Sequence, residues 1–364
     1  MDFLFAMKVA VLIIVSLAIS LIAGEGMLRL FLDEVDYIRP RQIEHPILNY
    51  AIAPGSGGHD RWGFRNKQVP DHAQIVTVGD SMTYGTSTPA RQNYPSQLAR
   101  MLGKSVYNVS KGGYGPPHYA YLVNEHALSL SPDVILIGFY FGNDLDDTYR
   151  YVTGTKYDQD GLDQMHAAKF MPGLRDWLTR NSMVYQTVKL NSGVLVETLA
   201  YYEAAKTKTS ASHVYSDGIR RTVFVTTRAY YATLDQSVEK NRTSLALAID
   251  ILSGLFDSCA KSHTRCMLLL FPTKESVYWP YAEKVLSGSA RADVQALVRM
   301  EQVVREILVG MLNSRGVETI DPLDDMRDAA GREPLYFTGY DNHPNANGHR
   351  VIATVVAEQL KATQ

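Results

Sequence analysis

The sequence predicts an α/β fold: one parallel sheet of about five strands with helices on both faces. Three observations carry this expectation. Short apolar segments recur at residues 75–78, 105–109, 133–141, 267–271 and 317–320. Segments with helical spacing of apolar residues lie between and after them. The strongest segment, Asp133-Val134-Ile135-Leu136-Ile137-Gly138-Phe139-Tyr140-Phe141, is apolar at consecutive positions, as suits a central strand covered on both faces. Strands alternating with helices imply a parallel sheet. Right-handed crossovers then leave a flavodoxin-like, three-layer α/β/α arrangement as the simplest topology.

Composition agrees. The chain has 364 residues, enough for one α/β core plus an insertion, and 46% of them are hydrophobic, enough for a sizeable core. A net charge of −2 with no basic run argues against a nucleic-acid partner.

The N-terminus is different in character. No charge falls between Val9 and Ala23, and the run extends back to Phe3 if Lys8 snorkels, giving 21 residues. That length suits a bilayer crossing. Leu21 occupies the −3 position for cleavage after Ala23, so the small-x-small signal is missing. Residues 1–24 are therefore read as an uncleaved transmembrane anchor, with a cleaved signal segment as the alternative. Residues 25–74 read as a membrane-proximal arm, broken by Pro40, Pro46, Pro54 and Gly55-Ser56-Gly57-Gly58. Within it, Asp60-Arg61-Trp62-Gly63-Phe64-Arg65-Asn66 reads as a loop packed under the sheet. Residues 75–364 hold the α/β domain, interrupted at about 145–243 by a Tyr- and Thr-rich insertion after the third strand. That insertion has a helix-like piece at 174–195 and a strand-like piece at 222–227.

The remaining elements follow in order. The strand at 75–78 is broken by Gly79-Asp80-Ser81, and a helix carrying Tyr94, Leu98, Met101 and Leu102 comes after it. The strand at 105–109 runs into Ser110-Lys111-Gly112-Gly113-Tyr114-Gly115, where glycines permit close approach or positive φ. Helices are expected at 117–130, 244–260, 293–313 and 345–361. Cys259 and Cys266 flank a short loop; a disulfide and two unpaired thiols are both open readings, and their spacing fits no zinc pattern. Asp144, Asp146 and Asp147 follow the third strand. A solvated acidic loop is the expectation for them, ahead of a cation site.

Ser81, Gly113, Asn143 and the pair Asp341/His343 all fall at expected C-terminal strand ends or loops above them, where open α/β sheets gather ligands. Together they supply a hydroxyl nucleophile, a backbone N–H donor, an amide donor and a base with an orienting carboxylate. Acyl transfer uses that set.

Gly79-Asp80-Ser81, Gly113 within Asn108-Val109-Ser110-Lys111-Gly112-Gly113, Gly142-Asn143-Asp144 and Asp341-Asn342-His343 resemble, in order, the four blocks of the SGNH or GDSL-type hydrolases. The resemblance covers about residues 60–145 and 265–360. With the Asp60–Asn66 cluster and the N-terminal apolar segment, the chain looks like the membrane-anchored bacterial members. The resemblance implies the three-layer SGNH fold and ester hydrolysis or acyl transfer, with no metal and no organic cofactor. It assigns Ser81 as nucleophile, His343 as base and Asp341 as its orienting acid. Ser81, Gly113 and Asn143 would form the oxyanion hole. The family's common last block puts the acid three residues before the histidine. Tyr340 holds that place here, and Asp341 is two before His343. Gly113 is likewise a choice of register against Gly112 and Gly115. The expected substrate is an O-acetylated extracytoplasmic glycan, with a lipid or lysophospholipid ester as an alternative. A non-catalytic glycan-binding or assembly factor on the same fold is the rival of a different class. The expected location is the bacterial cell membrane, single-pass, with the α/β domain periplasmic, or secreted if the segment is cleaved.

Overall fold

A computed structural model describes residues 2–154, 172–189, 213–225 and 229–362. Among them are nine strands. In the arm, β1 (Gln42–His45) and β2 (Asn49–Ile52) form an antiparallel hairpin. The main sheet takes β3 (Ile75–Gly79), β4 (Val106–Ser110) and β5 (Val134–Tyr140). β6 (His213–Ser216) and β7 (Arg221–Phe224) form a second antiparallel hairpin within the insertion. β8 (Arg265–Phe271) and β9 (Glu318–Ile320) complete the main sheet, which runs β4-β3-β5-β8-β9 with every pair parallel. In chain order that is 2-1-3-4-5, the flavodoxin-like arrangement expected from the alternation of elements.

The consecutive apolar residues of β5 and β8 are explained by the two-residue period of a strand. Ile135, Ile137, Phe139, Leu268 and Leu270 point into one core, which the Pro116–Leu122, Glu239–Lys261 and Gly288–Asn313 helices cover. Leu136, Tyr140, Met267, Leu269 and Phe271 point into the other. That core is covered by the Tyr94–Leu102, Lys274–Ala282, Leu323–Ala330 and Ala346–Ala362 helices. The Lys274–Ala282 and Leu323–Ala330 helices are additions to the expected set. Both are short, and Pro280 interrupts the apolar spacing of the first.

The arm packs against the α/β body through more than its loops. Leu48 and Phe64 lie in the first core. The Asp60–Asn66 cluster covers the edge strand β4. Asn66 exchanges two hydrogen bonds with the backbone of Asn108, through Oδ1 (3.0 Å) and Nδ2 (3.0 Å). Asp60 accepts from Tyr107 Oη at 2.6 Å. A side-chain amide thus occupies ladder groups that would otherwise stay open at a sheet edge.

The N-terminal helix runs Asp2–Phe31, longer than the expected 1–24. Its stretch Phe5–Phe31 is apolar and long, so by length and composition it could cross a membrane. Near its C-terminal end Glu25 accepts from Ser182 Oγ (3.0 Å), Met183 N (2.9 Å) and Val184 N (3.1 Å). Arg29 Nη2 donates to the carbonyl of Asn181 at 2.7 Å. One carboxylate therefore caps the helical stretch 183–189 of the insertion.

Of the expected insertion pieces, the Pro172–Asn181 helix and residues 183–189 realise the first; 190–195 lie outside the described residues. The second corresponds to β7, and 226–227 lie outside the described residues. The acidic group is not a solvated loop. Asp144, Asp146 and Asp147 sit buried in the first turn of the Asp144–Thr153 helix. Their partners are Tyr119 Oη and the Tyr140 N–H for Asp144, Arg150 for Asp146, and Asn143 for Asp147. A helix N-terminus favours carboxylates, which a reading of charge alone does not register. No group of three His, Cys, Asp or Glu side chains suited to a metal occurs among the described residues.

Cys259 and Cys266 form a disulfide, seven residues apart, between the end of the Glu239–Lys261 helix and β8. Closing so short a loop in the unfolded chain is worth about 2–3 kcal/mol in the chain-entropy treatment. Urea unfolding of the Cys259→Ser/Cys266→Ser protein should show a loss of about that size. An unchanged midpoint would count against the bond as a stabilising link.

Candidate active site

The sheet's geometry delivers Ser81. β3 ends at Gly79, and Asp80 caps the short Ser81–Tyr84 helix by accepting from Met82 N at 2.8 Å. The turn is tight. A Cβ on Gly79 would lie 2.2 Å from Thr83 Oγ1, so only glycine fits. Ser81 Oγ donates to Asp80 Oδ2 at 3.4 Å. Asp80 is fully buried, and that burial pushes its carboxyl up to about 6. Hydrogen bonds from Met82 N and Ser81 and the nearby charge of His343 oppose the rise.

His343 is therefore close enough to the Asp80–Ser81 turn to act on it electrostatically. Two further contacts join the loops. Thr88 Oγ1 donates to the Pro344 carbonyl at 3.1 Å, and the Ser87 hydroxyl donates to Asp341. Asp341 Oδ1 accepts from the His343 ring at Nδ1 (2.7 Å) and from the His343 backbone N–H (2.9 Å). The two-residue spacing is thus an Asx turn in which one oxygen receives both the chain and the ring. Burial works against ionisation of Asp341, but these bonds and the charge of His343 bring it down to about 2. The carboxylate holds the proton on Nδ1, which leaves the Nε2 lone pair available.

The Asp341–His343 loop is pinned from three directions. Lys274 is fully buried, and its Nζ donates to the carbonyls of Gly339 (3.2 Å) and Asp341 (3.0 Å). The insertion contributes Val223 N (3.0 Å) and Thr222 Oγ1 (3.2 Å), both also to Gly339. Asn342 Nδ2 donates to Tyr231 Oη at 3.1 Å.

On the opposite side, Gly112 is the glycine against Ser81. A Cβ there would stand 3.4 Å from Ser81 Cβ. Gly113, the expected donor, has φ +81° and lies against Tyr50, whose hydroxyl donates to its carbonyl at 3.1 Å. Neither glycine N–H donates to a protein group among the described residues. Asn143 precedes the Asp144–Thr153 helix, and its Nδ2 donates to Asp147 Oδ2 at 2.6 Å. Asp144, beside it, is fully buried; that burial and the charge of Asp80 hold its carboxyl well above the usual range.

Ser81, the glycine pair, Asn143 and the Asp341/His343 pair thus sit at the C-terminal ends of β3, β4 and β5 and in the loop before the last helix. Lys274, Asp80 and Tyr50 were not anticipated around them. Pro272-Thr273-Lys274-Glu275 after a strand end was a visible signal for Lys274. Tyr50 had none, because it arrives from the arm on β2.

The raised carboxyl of Asp80 has a sign. Its folded value exceeds the ordinary one, so the stability it contributes is present below pH ~4 and lost as pH rises through ~6. Relative to wild type, Asp80→Asn should gain stability between those limits, on the order of 3 kcal/mol, in urea titrations at pH 4 and pH 7. A pH-independent difference would show that Asp80 is ionised throughout.

The chain matches no protein-family model and no curated protein. It is similar to solved structures. One is described as a lipolytic protein of the G-D-S-L family from Desulfitobacterium hafniense, at 11% identity and TM-score 0.40, over 79% of this chain and 99% of that one. A catalytic mutant of an acetylxylan esterase from Geobacillus stearothermophilus is similar at 12% identity and TM-score 0.39, over 80% and 95%. A further acetyl xylan esterase is similar at 11% identity and TM-score 0.37, over 79% and 98%.

Proposed function

We propose that the chain is a serine esterase of the SGNH type that hydrolyses or transfers an acyl group, O-acetyl on an extracytoplasmic glycan in the first instance. The observation that carries the reading is the 2.7 Å pairing of His343 with Asp341 on a loop bonded to the segment that follows Ser81. The four ordered sequence blocks support it independently. The apolar Asp2–Phe31 helix supports tethering to a membrane, and we place the α/β domain on its outer side.

In this reading Ser81 Oγ attacks the ester carbonyl as His343 Nε2 takes its proton. Asp341 stays ionised and holds the ring in the tautomer that can accept. The N–H groups of Ser81 and Gly113 and the amide of Asn143 receive the oxyanion, while Gly112 packs against the nucleophile. The protonated His343 returns its proton to the leaving alcohol, and a water or a sugar hydroxyl then releases the acyl group from Ser81. Asp147 fixes the Asn143 amide through one of its two N–H groups and leaves the other for the oxyanion.

A fluorophosphonate probe should label the full-length protein at Ser81 and fail to label Ser81→Ala. Absence of labelling in wild type would sink the esterase reading and favour a binding factor. Asn143→Ala should lower kcat on p-nitrophenyl acetate by about 10²–10³ with a smaller change in KM, since oxyanion donors act in the transition state. A KM-only effect would remove Asn143 from the oxyanion hole.

A further inference from the structure

Beside Gly112 lies a cation that the proposed acyl chemistry does not use. Lys111 is 6% exposed, and its Nζ stands 3.8 Å from the ring centroid of Tyr50 and 5.4 Å from that of Tyr114. Its hydrogen bond to the Gly112 carbonyl is long, at 3.4 Å. An ammonium carries three N–H donors, and no carboxylate pairs with this one among the described residues. Burial lowers the amine to about 7.

His118 adds a second donor against the same Tyr114 ring. It is 5% exposed and stacks on Tyr114 with centroids 4.7 Å apart. Its Nδ1 accepts from the Gly115 N–H at 3.1 Å, so the proton of the neutral ring resides on Nε2. That Nε2 is buried with no partner among the described residues. Lys111 is near enough for its charge to act on the His118 ring. An ammonium with one long hydrogen bond and a ring N–H with none are costly in a sealed core. They are a prepared arrangement for an incoming anion.

The cluster borders the oxyanion side of the candidate site. Gly112 lies against Ser81, the Tyr50 hydroxyl donates to the Gly113 carbonyl, and Asp147, bonded to Asn143, acts electrostatically on Tyr50. Its cover is thin, because Gly113 is exposed and Gly112 and Tyr50 are half-buried.

We propose that Lys111, together with the Nε2–H of His118, forms a subsite for a carboxylate carried by the ester substrate, so that the site selects acylated acidic sugars over neutral ones. The inference rests on the serine-esterase reading and narrows its substrate class.

The test compares kcat/KM of the full-length protein at pH 6 on O-acetylated methyl glucuronoside and O-acetylated methyl glucoside. Wild type should favour the uronoside by about 10–100-fold, the range of a charge-assisted hydrogen bond. Lys111→Met should bring the ratio to about one while keeping fluorophosphonate labelling at Ser81, and Lys111→Arg should restore part of the preference. A wild-type ratio near one overturns the subsite whatever the variants do. So does a ratio that survives in labelled Lys111→Met. Should Lys111→Met fail to fold, His118→Leu, which removes the Nε2–H donor, takes its place; a reduced ratio supports the subsite and an unchanged one overturns it. Wild type that neither labels nor cleaves either ester defeats the esterase reading instead. Calorimetric binding of the two glycosides to wild type then decides the subsite separately: preference for the uronoside supports it, and equal binding overturns it.

Discussion

The Gly339 carbonyl accepts from Lys274 Nζ, Val223 N and Thr222 Oγ1 at 3.0–3.2 Å, and this one oxygen gathers three of the bonds that hold the loop carrying Asp341 and His343. Lys274 comes from the end of β8, and Thr222 and Val223 come from the insertion. Removing a buried ammonium from water is expensive unless its donors are taken up, and here two carbonyls of the same loop take them up. The cost of burying the charge is thus coupled to the conformation of the loop. A displaced loop would take both of these carbonyls away from Lys274 in a dry core.

The same pattern recurs around Ser81. Asp80 and Asp144 are fully buried carboxyls, and each accepts backbone N–H groups that fix a strand end: Met82 N for Asp80, Tyr140 N for Asp144. Arg65 is 8% exposed and reaches the carbonyls of Gly85 and Thr88 at 2.7 and 3.0 Å, with Asp36 as its counter-ion. The arm therefore braces the loop behind Ser81. Polar groups in low dielectric rigidify the surroundings only when their partners are met. Asp80 and Asp144 beneath the candidate site meet that condition, whereas His118 Nε2 and Asn143 Oδ1 are buried with no partner among the described residues.

What the sequence disclosed follows from period and spacing. Strands buried on both faces leave continuous apolar runs, and helices leave a 3.6-residue stripe, so the five strands and their order were legible. Ser81, Asn143, Asp341 and His343 were legible because they occupy strand ends or the loop before a helix. The β1–β2 hairpin was not: its strands are four residues each with only Ile52 buried, and Pro46 lies in the turn, so no alternation marks them. Tyr50 was hidden with it. The buried state of Asp144, Asp146 and Asp147 was missed because composition reports charge, whereas their burial is set by a helix N-terminus and long-range partners. The disulfide was undecidable from two cysteines and a loop.

The contact of Glu25 with residues 182–184 has a mechanical meaning. Without it, a helix of 30 residues would meet the α/β body only through the segment after Phe31 and could pivot there. With one carboxylate seated on the start of the 183–189 stretch and Arg29 gripping Asn181, the rod is tied to the 172–189 part of the insertion as well as to the chain after Phe31. Two points define a bearing. That part of the insertion thereby keeps a set direction relative to the long axis of the rod, and whatever surface holds the rod also sets how the insertion is aimed.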